Sequence, residues 1–540
     1  MTKITSEQQL ITVALTLAGE SAALSHAEQS IAARYKGRVA SPLLLAATKA
    51  AIARGADPLG EALTALRPPA VRRKVGAVYT PATIINSMIA WAKEVSTPAR
   101  VIDAGSGSGR FLIAAAAQFP RAKLVGIEID AVAALTLRAN LAVHNLAARA
   151  AVLVGDYRAT PIAPATGKTL FIGNPPYVRH HDIEEQWKSW YAASTAGFGV
   201  RASTLAGLHL HFFVRTLQLA RSGDFGAFIT SAEWLDVNYG DALRRLLADR
   251  LGGLALHVLE PAAMPFADVL TTGAITCFEV DRRPKSMRVR TVPTIDELNG
   301  LSTGEPVPWT ELRKARRWSV IVRPSAPPPA GFVNLGEICR VSRGQVTGGN
   351  SIWIAGEHAD GLPAHVLKPT VTKARELLAA GDALTATDGL KRVIDLPVDL
   401  DELDATERRA VSRFLSWAKA RGAADSYIAQ HRRAWWSVLL YDPAPIICTY
   451  MARRPPAFVR NLCDARHLNI AHGIYPREPL EEAVLFALLA YLRKNVSTSA
   501  GRTYAGGLTK FEPGELERIP VPAVEMLRNA ATADMDTSTA

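Results

Sequence analysis

The chain has 540 residues, of which 48% are hydrophobic and 21% are charged, a balance that excludes disordered and fibrous proteins. Lysine and arginine outnumber aspartate and glutamate by 62 to 50, and the resulting net charge of +12 favours a polyanionic partner. The 4 cysteines are scattered without CxxC spacing, so neither a disulfide framework nor a metal site is predicted.

The sequence carries no signal for export or membrane insertion. Its first residues lack the charged segment and the following apolar segment of a signal peptide. No uncharged apolar run further along is long enough to cross a bilayer. We therefore expect a reduced, cytoplasmic protein without membrane contact, and its length predicts more than one domain.

Two kinds of pattern divide the chain up to residue 285. Residues 1–70 are rich in alanine and leucine at helical spacing, with one break at 55–58, and predict a helical extension. In residues 71–285, short β-rich runs alternate with helical stretches, which predicts an α/β domain with a mostly parallel sheet and an antiparallel edge pair. The predicted strands are 101–103, 124–128, 151–154, 170–172, 225–230, 254–259 and 273–280.

The second half of the chain has a different texture. The proline-rich stretch at 324–329 is stiff and incompatible with a helix, which predicts a linker over residues 286–330. Beyond it the periodicity is irregular, and arginine and aromatic residues are frequent. A further domain is expected over 331–525, followed by a disordered tail at 526–540.

A glycine-rich loop follows the first predicted strand. Asp103 ends this strand, and Gly105, Gly107 and Gly109 precede a helical run. A backbone without side chains can approach a ligand closely at such a helix amino terminus, which indicates a nucleotide-like cofactor. A tight strand-to-helix turn without a ligand is the alternative.

Carboxylates stand at the ends of the next two predicted strands. Glu128 is placed to accept hydrogen bonds from both hydroxyls of a ribose, as carboxylates do in dinucleotide sites. Asp156 is a candidate acceptor for an adenine amino group. A carboxylate at this position is often only a helix cap, which is the alternative role for Asp156.

The tetrapeptide Asn174-Pro175-Pro176-Tyr177 follows the fourth predicted strand. An exocyclic amine on a purine is a poor nucleophile, because its lone pair is delocalised into the ring. Two acceptors, the side-chain oxygen of Asn174 and the Pro175 carbonyl, would favour the pyramidal amine that develops during methyl transfer. Tyr177 offers a face on which a heteroaromatic base can stack. A Pro-Pro turn capped by asparagine is the alternative.

These motifs together resemble a known enzyme class. The pattern Asp103-x-Gly105-x-Gly107-x-Gly109 resembles the first motif of the class I S-adenosylmethionine-dependent methyltransferases, whereas dinucleotide folds prefer GxGxxG. Upstream, 79–81 resembles the segment that, in the amino-methyltransferase branch, packs over the methionine part of the cofactor. A helix that starts at Thr80 and Pro81 would be compatible with the same role.

The order of the motifs is similar to that in the gamma-class, Taq-type DNA adenine-N6 methyltransferases of type II restriction-modification systems. Asparagine rather than serine before Pro-Pro-Tyr points, within that family, to adenine N6 rather than cytosine N4. The resemblance implies a Rossmann-like class I methyltransferase fold with S-adenosyl-L-methionine as the cofactor. The implied cofactor-binding residues are Tyr79, Thr80, Pro81, Asp103, Gly105, Gly107, Gly109, Glu128 and Asp156. The implied catalytic residues are Asn174, Pro175, Tyr177 and Tyr239.

The role of Tyr239 is implied by the family alone. Enzymes of this class extrude the target base, because N6 is unreachable inside the duplex stack, and an aromatic residue holds the opposite face of that base. The segment 231–240 resembles the surroundings of this residue and makes Tyr239 the candidate, with Trp234 as second choice. Core packing is the alternative role for either side chain.

The C-terminal region carries a second match to the same family. Residues 336–350 and 502–516 resemble segments of its specificity domain, which implies that 331–525 forms an α+β target-recognition domain. Clusters of cations and aromatic residues suit phosphate contacts and groove insertion, although each cluster alone is more typical of a solvated surface. These clusters lie at 313–318, 431–436 and 453–454.

The resemblance implies a bacterial, monomeric enzyme that methylates adenine N6 in a short sequence of double-stranded DNA. This modification would protect the DNA from a separately encoded restriction endonuclease. Methylation of RNA or of a protein glutamine is an alternative, because Asn-Pro-Pro-Tyr also occurs in those enzymes, but they generally end soon after the sheet. A non-catalytic DNA-recognition subunit is a third hypothesis, which the intact Gly105, Glu128, Asn174 and Tyr177 disfavour.

Overall fold

A computed structural model describes residues 3–19, 22–67, 80–260, 272–322, 327–452, 454–498, 501–504 and 508–538. The chain divides into two compact units, Met1–Pro324 and Ser325–Ala540. Within the described ranges, no helix combines the length and the apolar character needed to span a membrane.

The first unit begins with helices within residues 1–70, where the sequence predicts a helical extension. Their bounds are Glu7–Ala18 (α1), His26–Arg34 (α2), Pro42–Ala53 (α3) and Pro58–Leu66 (α4). The expected break separates α3 from α4, where the Asp57 side chain accepts a hydrogen bond from the Gly60 amide at 3.0 Å and Pro58 occupies the first turn. The apolar faces of these helices share a core with a later helix, through Val132, Leu135 and Ala139.

A nine-stranded sheet forms the body of the first unit. Its strands are Arg100–Ala104 (β1), Lys123–Glu128 (β2), Ala150–Val154 (β3), Thr169–Gly173 (β4), Phe225–Ser231 (β5), Gly253–Leu259 (β6), Gly273–Glu279 (β7), Ser286–Val292 (β8) and Glu305–Pro308 (β9). Their order is β3-β2-β1-β4-β5-β7-β6-β8-β9, and the first five are mutually parallel. The helices are Ala82–Val95 (α5), Arg110–Gln118 (α6), Ala131–Val143 (α7), Glu185–Gly197 (α8), Leu208–Leu219 (α9), Asp241–Asp249 (α10), Trp309–Lys314 (α11) and Ser319–Val322 (α12).

The sheet is buried on both faces, as expected when helices flank parallel strands. Along β5, Phe228 belongs to the core on one face, and the next residue, Ile229, belongs to the core on the other. The predicted α/β class with its mostly parallel sheet is confirmed, and antiparallel strand pairs complete the sheet beyond β5. The carboxyl ends of β1, β2 and β4 therefore meet at one edge of the sheet, where a ligand site is expected.

The structure differs from the predicted linker at 286–330. Strand β8 lies parallel to β6, and β9 lies antiparallel to β8, so the sheet continues past residue 285 and the pair β6–β7 lies inside it. In β8, Met287 and Val289 are buried while Arg288 between them is exposed. The arginines of this strand make the short alternation of buried and exposed residues hard to recognise in the sequence.

The second unit has the predicted α+β composition. Its strands are Phe332–Asn334 (β10), Cys339–Arg343 (β11), Leu367–Val371 (β12), Ala383–Leu384 (β13), Lys391–Ile394 (β14), Ile446–Thr449 (β15), Met451–Ala452 (β16), Phe458–Asn461 (β17), Arg466–His467 (β18), Ala471–Pro476 (β19), Arg502–Tyr504 (β20), Leu508–Lys510 (β21) and Pro520–Pro522 (β22). The largest sheet of this unit has the order β11-β19-β15-β17-β13.

Helices surround these sheets. Their bounds are Leu335–Ile338 (α13), Asn350–Trp353 (α14), Ala374–Ala379 (α15), Ala405–Lys419 (α16), Tyr427–Gln430 (α17), Glu482–Asn495 (α18), Pro513–Leu516 (α19) and Val524–Ser538 (α20). Helix α20 stands where a disordered tail was expected at 526–540. It is ordered because Leu527 joins the core that contains Leu488 and Leu492 of α18.

Candidate active site

A cavity of about 460 Å³ opens at the carboxyl edge of the parallel strands. The glycine loop after β1, the ends of β2 and β3, the turn after β4 and helix α4 all contribute to its wall. Of the predicted site residues, it is lined by Thr80, Gly105, Gly107, Glu128, Asp156 and Asn174. Five separate stretches of the sequence thus converge on one place.

The glycine loop has a backbone that other residues would strain. Gly105, Gly107 and Gly109 have φ angles of 76°, 53° and 93°, in the left-handed region that favours glycine. A Cβ atom on Gly109 would lie 2.2 Å from Cδ1 of Leu137 on α7. The backbone of this loop is therefore exposed to the cavity. Gly109 is also required because any side chain there would collide with α7.

Glu128 ties this loop to the end of β2. Its Oε2 accepts a hydrogen bond from the Gly107 amide at 2.8 Å, and its Oε1 accepts one from the Asp130 amide at 3.0 Å. Burial raises the pKa of Glu128. A carboxylate oxygen accepts more than one hydrogen bond, so Glu128 can hold the loop and still receive ribose hydroxyls.

Asp103 lies beneath the loop, and it is not among the residues that line the cavity. It is 1% exposed, and neither carboxylate oxygen has a hydrogen-bond donor among the described residues. Burial, and then the nearby Glu128, raise the pKa of Asp103 well above its usual range.

The Asp156 carboxylate does not cap a helix, and it is partly occupied by a neighbouring cation. Its carboxylate receives the Arg158 guanidinium, with Nη2 to Oδ2 at 2.5 Å and Nε to Oδ1 at 2.9 Å. The guanidinium carbon of Arg158 lies 4.0 Å from the ring centroid of Trp187 on α8, and Nη1 is buried without an acceptor among the described residues. Both Arg158 and Trp187 line the cavity, and sequence reasoning named neither.

The Asn174 amide is oriented by one hydrogen bond. Its Nδ2 donates to Oγ1 of Thr80 at 3.0 Å, and its Oδ1 is buried without a donor among the described residues. Thr80 thus faces Asn174, and Pro81 occupies the cap position of α5 without a side-chain cap hydrogen bond. Tyr79, which was predicted beside them, lies outside the described residues.

Pro175 and Tyr177 complete the turn after β4. Pro175 is buried, whereas Tyr177 is half-buried and packs against the core on one face of the sheet. The ring of Tyr177 meets His209 edge-on, with 6.4 Å between the ring centroids. Tyr177 does not line the cavity, and its stacking role remains a prediction.

The structure distinguishes between Trp234 and Tyr239, the two candidates for stacking on the opposite face of the target base. Trp234 is 0% exposed and packs edge-on against Trp318, so it serves the core. Tyr239 is half-buried, and its hydroxyl donates to Oε2 of Glu233 at 3.2 Å. Tyr239 therefore remains the candidate of the two.

The helical extension contributes to this site, which the sequence did not indicate. Asp57 accepts hydrogen bonds from Oγ of Ser108 at 2.5 Å and from Nδ2 of Asn140 on α7 at 3.1 Å. A Cβ atom on Gly60 would lie 2.2 Å from Oδ2 of Asp57, and Gly60 and Arg67 both line the cavity. An Asp-Pro-x-Gly sequence is an ordinary helix start, so nothing in it predicts this contact.

The aromatic members of the predicted basic clusters pack inward. Trp318 is 1% exposed, and in the second unit the indole Nε1 of Trp436 donates to the Pro397 carbonyl at 3.0 Å. Arg313 is paired with Asp249 at 2.7 Å, and Arg453 lies outside the described residues. The side chains of Trp318 and Trp436 therefore pack within the protein.

Comparison with known protein families matches most of the chain in three stretches. Residues 66–206 match the family N-6 DNA Methylase, and residues 167–252 match the Eco57I restriction-modification methylase. Residues 328–539 match the C-terminal domain of the type II methyltransferase M.Eco57I.

Relatives extend these matches to nearly the full length. The type II methyltransferase M.XamI of Xanthomonas campestris pv. amaranthicola is 55% identical over 530 residues, which are 97% of this chain and 99% of that protein. The type II methyltransferase M.AccI of Acinetobacter calcoaceticus is 21% identical over 472 residues, 83% of this chain and 85% of that protein. Among solved structures, the type IIG restriction endonuclease BpuSI has a TM-score of 0.49 at 13% identity, covering 97% of this chain and 71% of that chain.

Proposed function

The chain belongs to the type II adenine-N6 DNA methyltransferases of restriction-modification systems, and we propose that it modifies one short duplex sequence with Asn174 holding the target amine. The observation that carries this proposal is the buried Oδ1 of Asn174, which has no donor among the described residues. An unsatisfied buried acceptor costs free energy, so it is retained where a ligand supplies the donor. An adenine amino group supplies such a donor.

The enzyme uses S-adenosyl-L-methionine, and its cavity fits this cofactor. The glycine loop gives close access to backbone, and Glu128 and Asp156 provide carboxylates at the positions expected for ribose and adenine. We assign Thr80, Gly105, Gly107, Glu128 and Asp156 to cofactor binding. When bound, the cofactor supplies an electrophilic methyl group on a sulfonium.

The chain's own residues act on the amine. Asn174 Oδ1 and the Pro175 carbonyl accept hydrogen bonds from its two hydrogens, and these fixed dipoles stabilise the positive charge that develops on nitrogen. The pyramidal amine is therefore favoured in the transition state, and no strongly basic side chain is needed. The proton can leave after methylation. Tyr177 and Tyr239 are proposed to hold the two faces of the extruded base.

The biological setting is also part of the proposal. The match to a restriction-modification methylase family and the type II methyltransferases among the relatives support a role in protecting host DNA from a separately encoded endonuclease, in the bacterial cytoplasm. A monomer suffices, because one copy can methylate the two strands of a palindromic site in successive encounters.

Transfer of tritium from labelled S-adenosyl-L-methionine to genomic DNA tests the proposal. The DNA comes from a methylation-deficient bacterial host, and the digested nucleosides are separated afterwards. We expect the label in N6-methyl-2′-deoxyadenosine and none in methylated deoxycytidine. Label found in added total RNA or in protein, with none in DNA, would contradict the proposal.

A further inference from the structure

Leu439 in the second unit has an unusual backbone conformation. Among the described residues, the non-glycine residues with positive φ are Asn145, Asp281, Asp464 and Leu439. Asparagine and aspartate tolerate this left-handed region, because their short polar side chains can hydrogen-bond locally. Leucine has no such compensation, so its φ of 54° is strained and must be imposed by the surroundings.

Hydrogen bonds from two distant segments impose this conformation. The amides of Leu439 and Leu440 donate to Oδ1 and Oδ2 of Asp395 at 2.9 and 3.2 Å. Nε2 of Gln345 donates to the Leu439 carbonyl at 2.8 Å. Both peptide groups of Leu439 are thereby fixed.

The other end of the same segment, defined here as residues 438–442, is fixed as well. Arg466 donates to the Tyr441 carbonyl and to Oδ1 of Asp442, the latter at 3.1 Å. The hydroxyl of Tyr475 donates to the Asp442 carbonyl at 2.9 Å. The segment is therefore held at one end by Gln345 and Asp395, which follow β11 and β14, and at the other end by side chains of β18 and β19.

This segment exposes hydrophobic side chains to solvent. Val438 is 1% exposed, whereas Leu439 is 49% exposed and Tyr441 is 44% exposed. A glycine at position 439 would adopt the same backbone conformation without strain, because it has no Cβ. The leucine side chain is therefore not needed for the backbone conformation, and its exposure points to a contact with a partner.

Cations lie near Asp395, the side chain that holds the Leu439 amide. Lys368, Arg432 and Arg466 lie close enough to Asp395 to interact electrostatically with its carboxylate. Arg432 also donates to the Val346 carbonyl at 2.6 Å, next to Gln345 in the sequence. An exposed leucine on a segment fixed by hydrogen bonds, with cations nearby, matches the chemistry of a side chain inserted between base steps while cations contact phosphates.

We propose that Leu439 is inserted into the base stack of duplex DNA and contributes to recognition of the target site. This inference rests on the proposed function, since it requires DNA as the substrate. Partial unstacking by an apolar wedge stabilises a distorted duplex, and extrusion of the target adenine requires such a distortion. Leu439 is thus a DNA-contacting residue that acts apart from the methyl-transfer cavity.

The test compares full-length variants in steady-state methylation of genomic DNA from a methylation-deficient host. Leu439→Gly removes the side chain and relieves the strain, whereas Leu439→Met keeps an apolar side chain of similar size. Leu43→Ala is the control, since Leu43 is a 61% exposed leucine in the first unit. The readouts are kcat, KM for DNA, KM for S-adenosyl-L-methionine and Tm.

Leu439→Gly is expected to lower kcat/KM for DNA by about ten-fold or more, with KM for the cofactor unchanged and Tm unchanged or raised. Leu439→Met should recover most of the activity, and Leu43→Ala should match the wild type. Wild-type kcat/KM for DNA in Leu439→Gly would overturn the inference, as would a loss that follows a lowered Tm. An inactive wild-type protein would instead contradict the proposed function itself.

Discussion

Nδ2 of Asn174 donates a hydrogen bond of 3.0 Å to Oγ1 of Thr80, which joins the turn after β4 to the residues that precede α5. Because the amide nitrogen is occupied in this way, the amide oxygen faces away from Thr80 and stays available as an acceptor. Thr80 is also a lining residue of the cavity. The orientation of the Asn174 amide is therefore coupled to a second residue that lines the cavity.

Replacement of Thr80 by valine should release the Asn174 amide. Valine has a similar shape but no hydroxyl, so the amide can rotate and present either end to the target amine. We expect kcat to fall by about ten-fold, which corresponds to roughly 1.4 kcal/mol of transition-state stabilisation. Thr80→Ser keeps the hydroxyl and should retain near-normal kcat. Equal kcat for Thr80→Val and the wild type would show that this hydrogen bond does not orient the amide.

Asp57 is expected to act as a positioning residue for the glycine loop. Asp57→Ser keeps a cap for α4 but cannot reach both Ser108 and Asn140. KM for S-adenosyl-L-methionine should rise about ten-fold, while kcat at saturating cofactor changes little. Direct cofactor binding by calorimetry gives the independent readout. Unchanged affinity with a lowered Tm would indicate a purely structural role.

Tyr239 should stabilise the extruded base through its ring rather than through its hydroxyl. Tyr239→Phe removes the hydroxyl with its hydrogen bond to Glu233, whereas Tyr239→Ala removes the stacking face. With 2-aminopurine at the target position of the duplex, the fluorescence increase on binding should be smaller for the alanine variant and normal for the phenylalanine variant. Identical signals in all three proteins would argue against stacking by Tyr239.

Buried histidines should make the fold sensitive to acid. His257 on β6 is 0% exposed and shares a hydrogen bond with the Leu301 carbonyl, and burial lowers its pKa to about 4. The unfolded chain takes up a proton near pH 6.5, so between pH 6.5 and 4 it binds more protons than the folded protein. The free energy of unfolding should therefore fall as the pH falls through this window, by on the order of 3 kcal/mol for this group.

His257→Gln provides the check on this pH dependence. Glutamine can still donate to the Leu301 carbonyl, but it does not titrate. Urea denaturation at several pH values should give a flatter dependence for the variant between pH 6.5 and 4. A parallel pH dependence for both proteins would exclude His257 as a contributor.

Much of the first unit follows from local pattern. The β-rich runs, the glycine loop and the turn at Asn174 are predictable, because strand period and glycine spacing are properties of neighbouring residues. The hydrogen bonds of Asp57 are not predictable, since they join α4, the loop after β1 and α7. The burial of Trp234 is equally invisible in the sequence, because it depends on Trp318, which lies within the segment expected to be a linker.

The sequence also could not indicate how Asp156 is held. Arg158 is only two positions away, but its orientation depends on Trp187 of α8. The strain at Leu439 is likewise a tertiary effect, because it is imposed by Asp395 and Gln345 from remote parts of the chain. Local pattern thus predicts where the site lies, and contacts distant in sequence decide how its side chains are held.

The most direct measurement is single-molecule sequencing of genomic DNA from a methylation-deficient host that expresses either this chain or its Asn174→Ala variant. The account predicts N6-methyladenine confined to one short sequence motif for the wild type. For Asn174→Ala it predicts no modification at that motif, although the purified variant still binds DNA. An equal level of modified adenine in the two strains would contradict the role of Asn174, and modified adenine in every sequence context would contradict site-specific recognition.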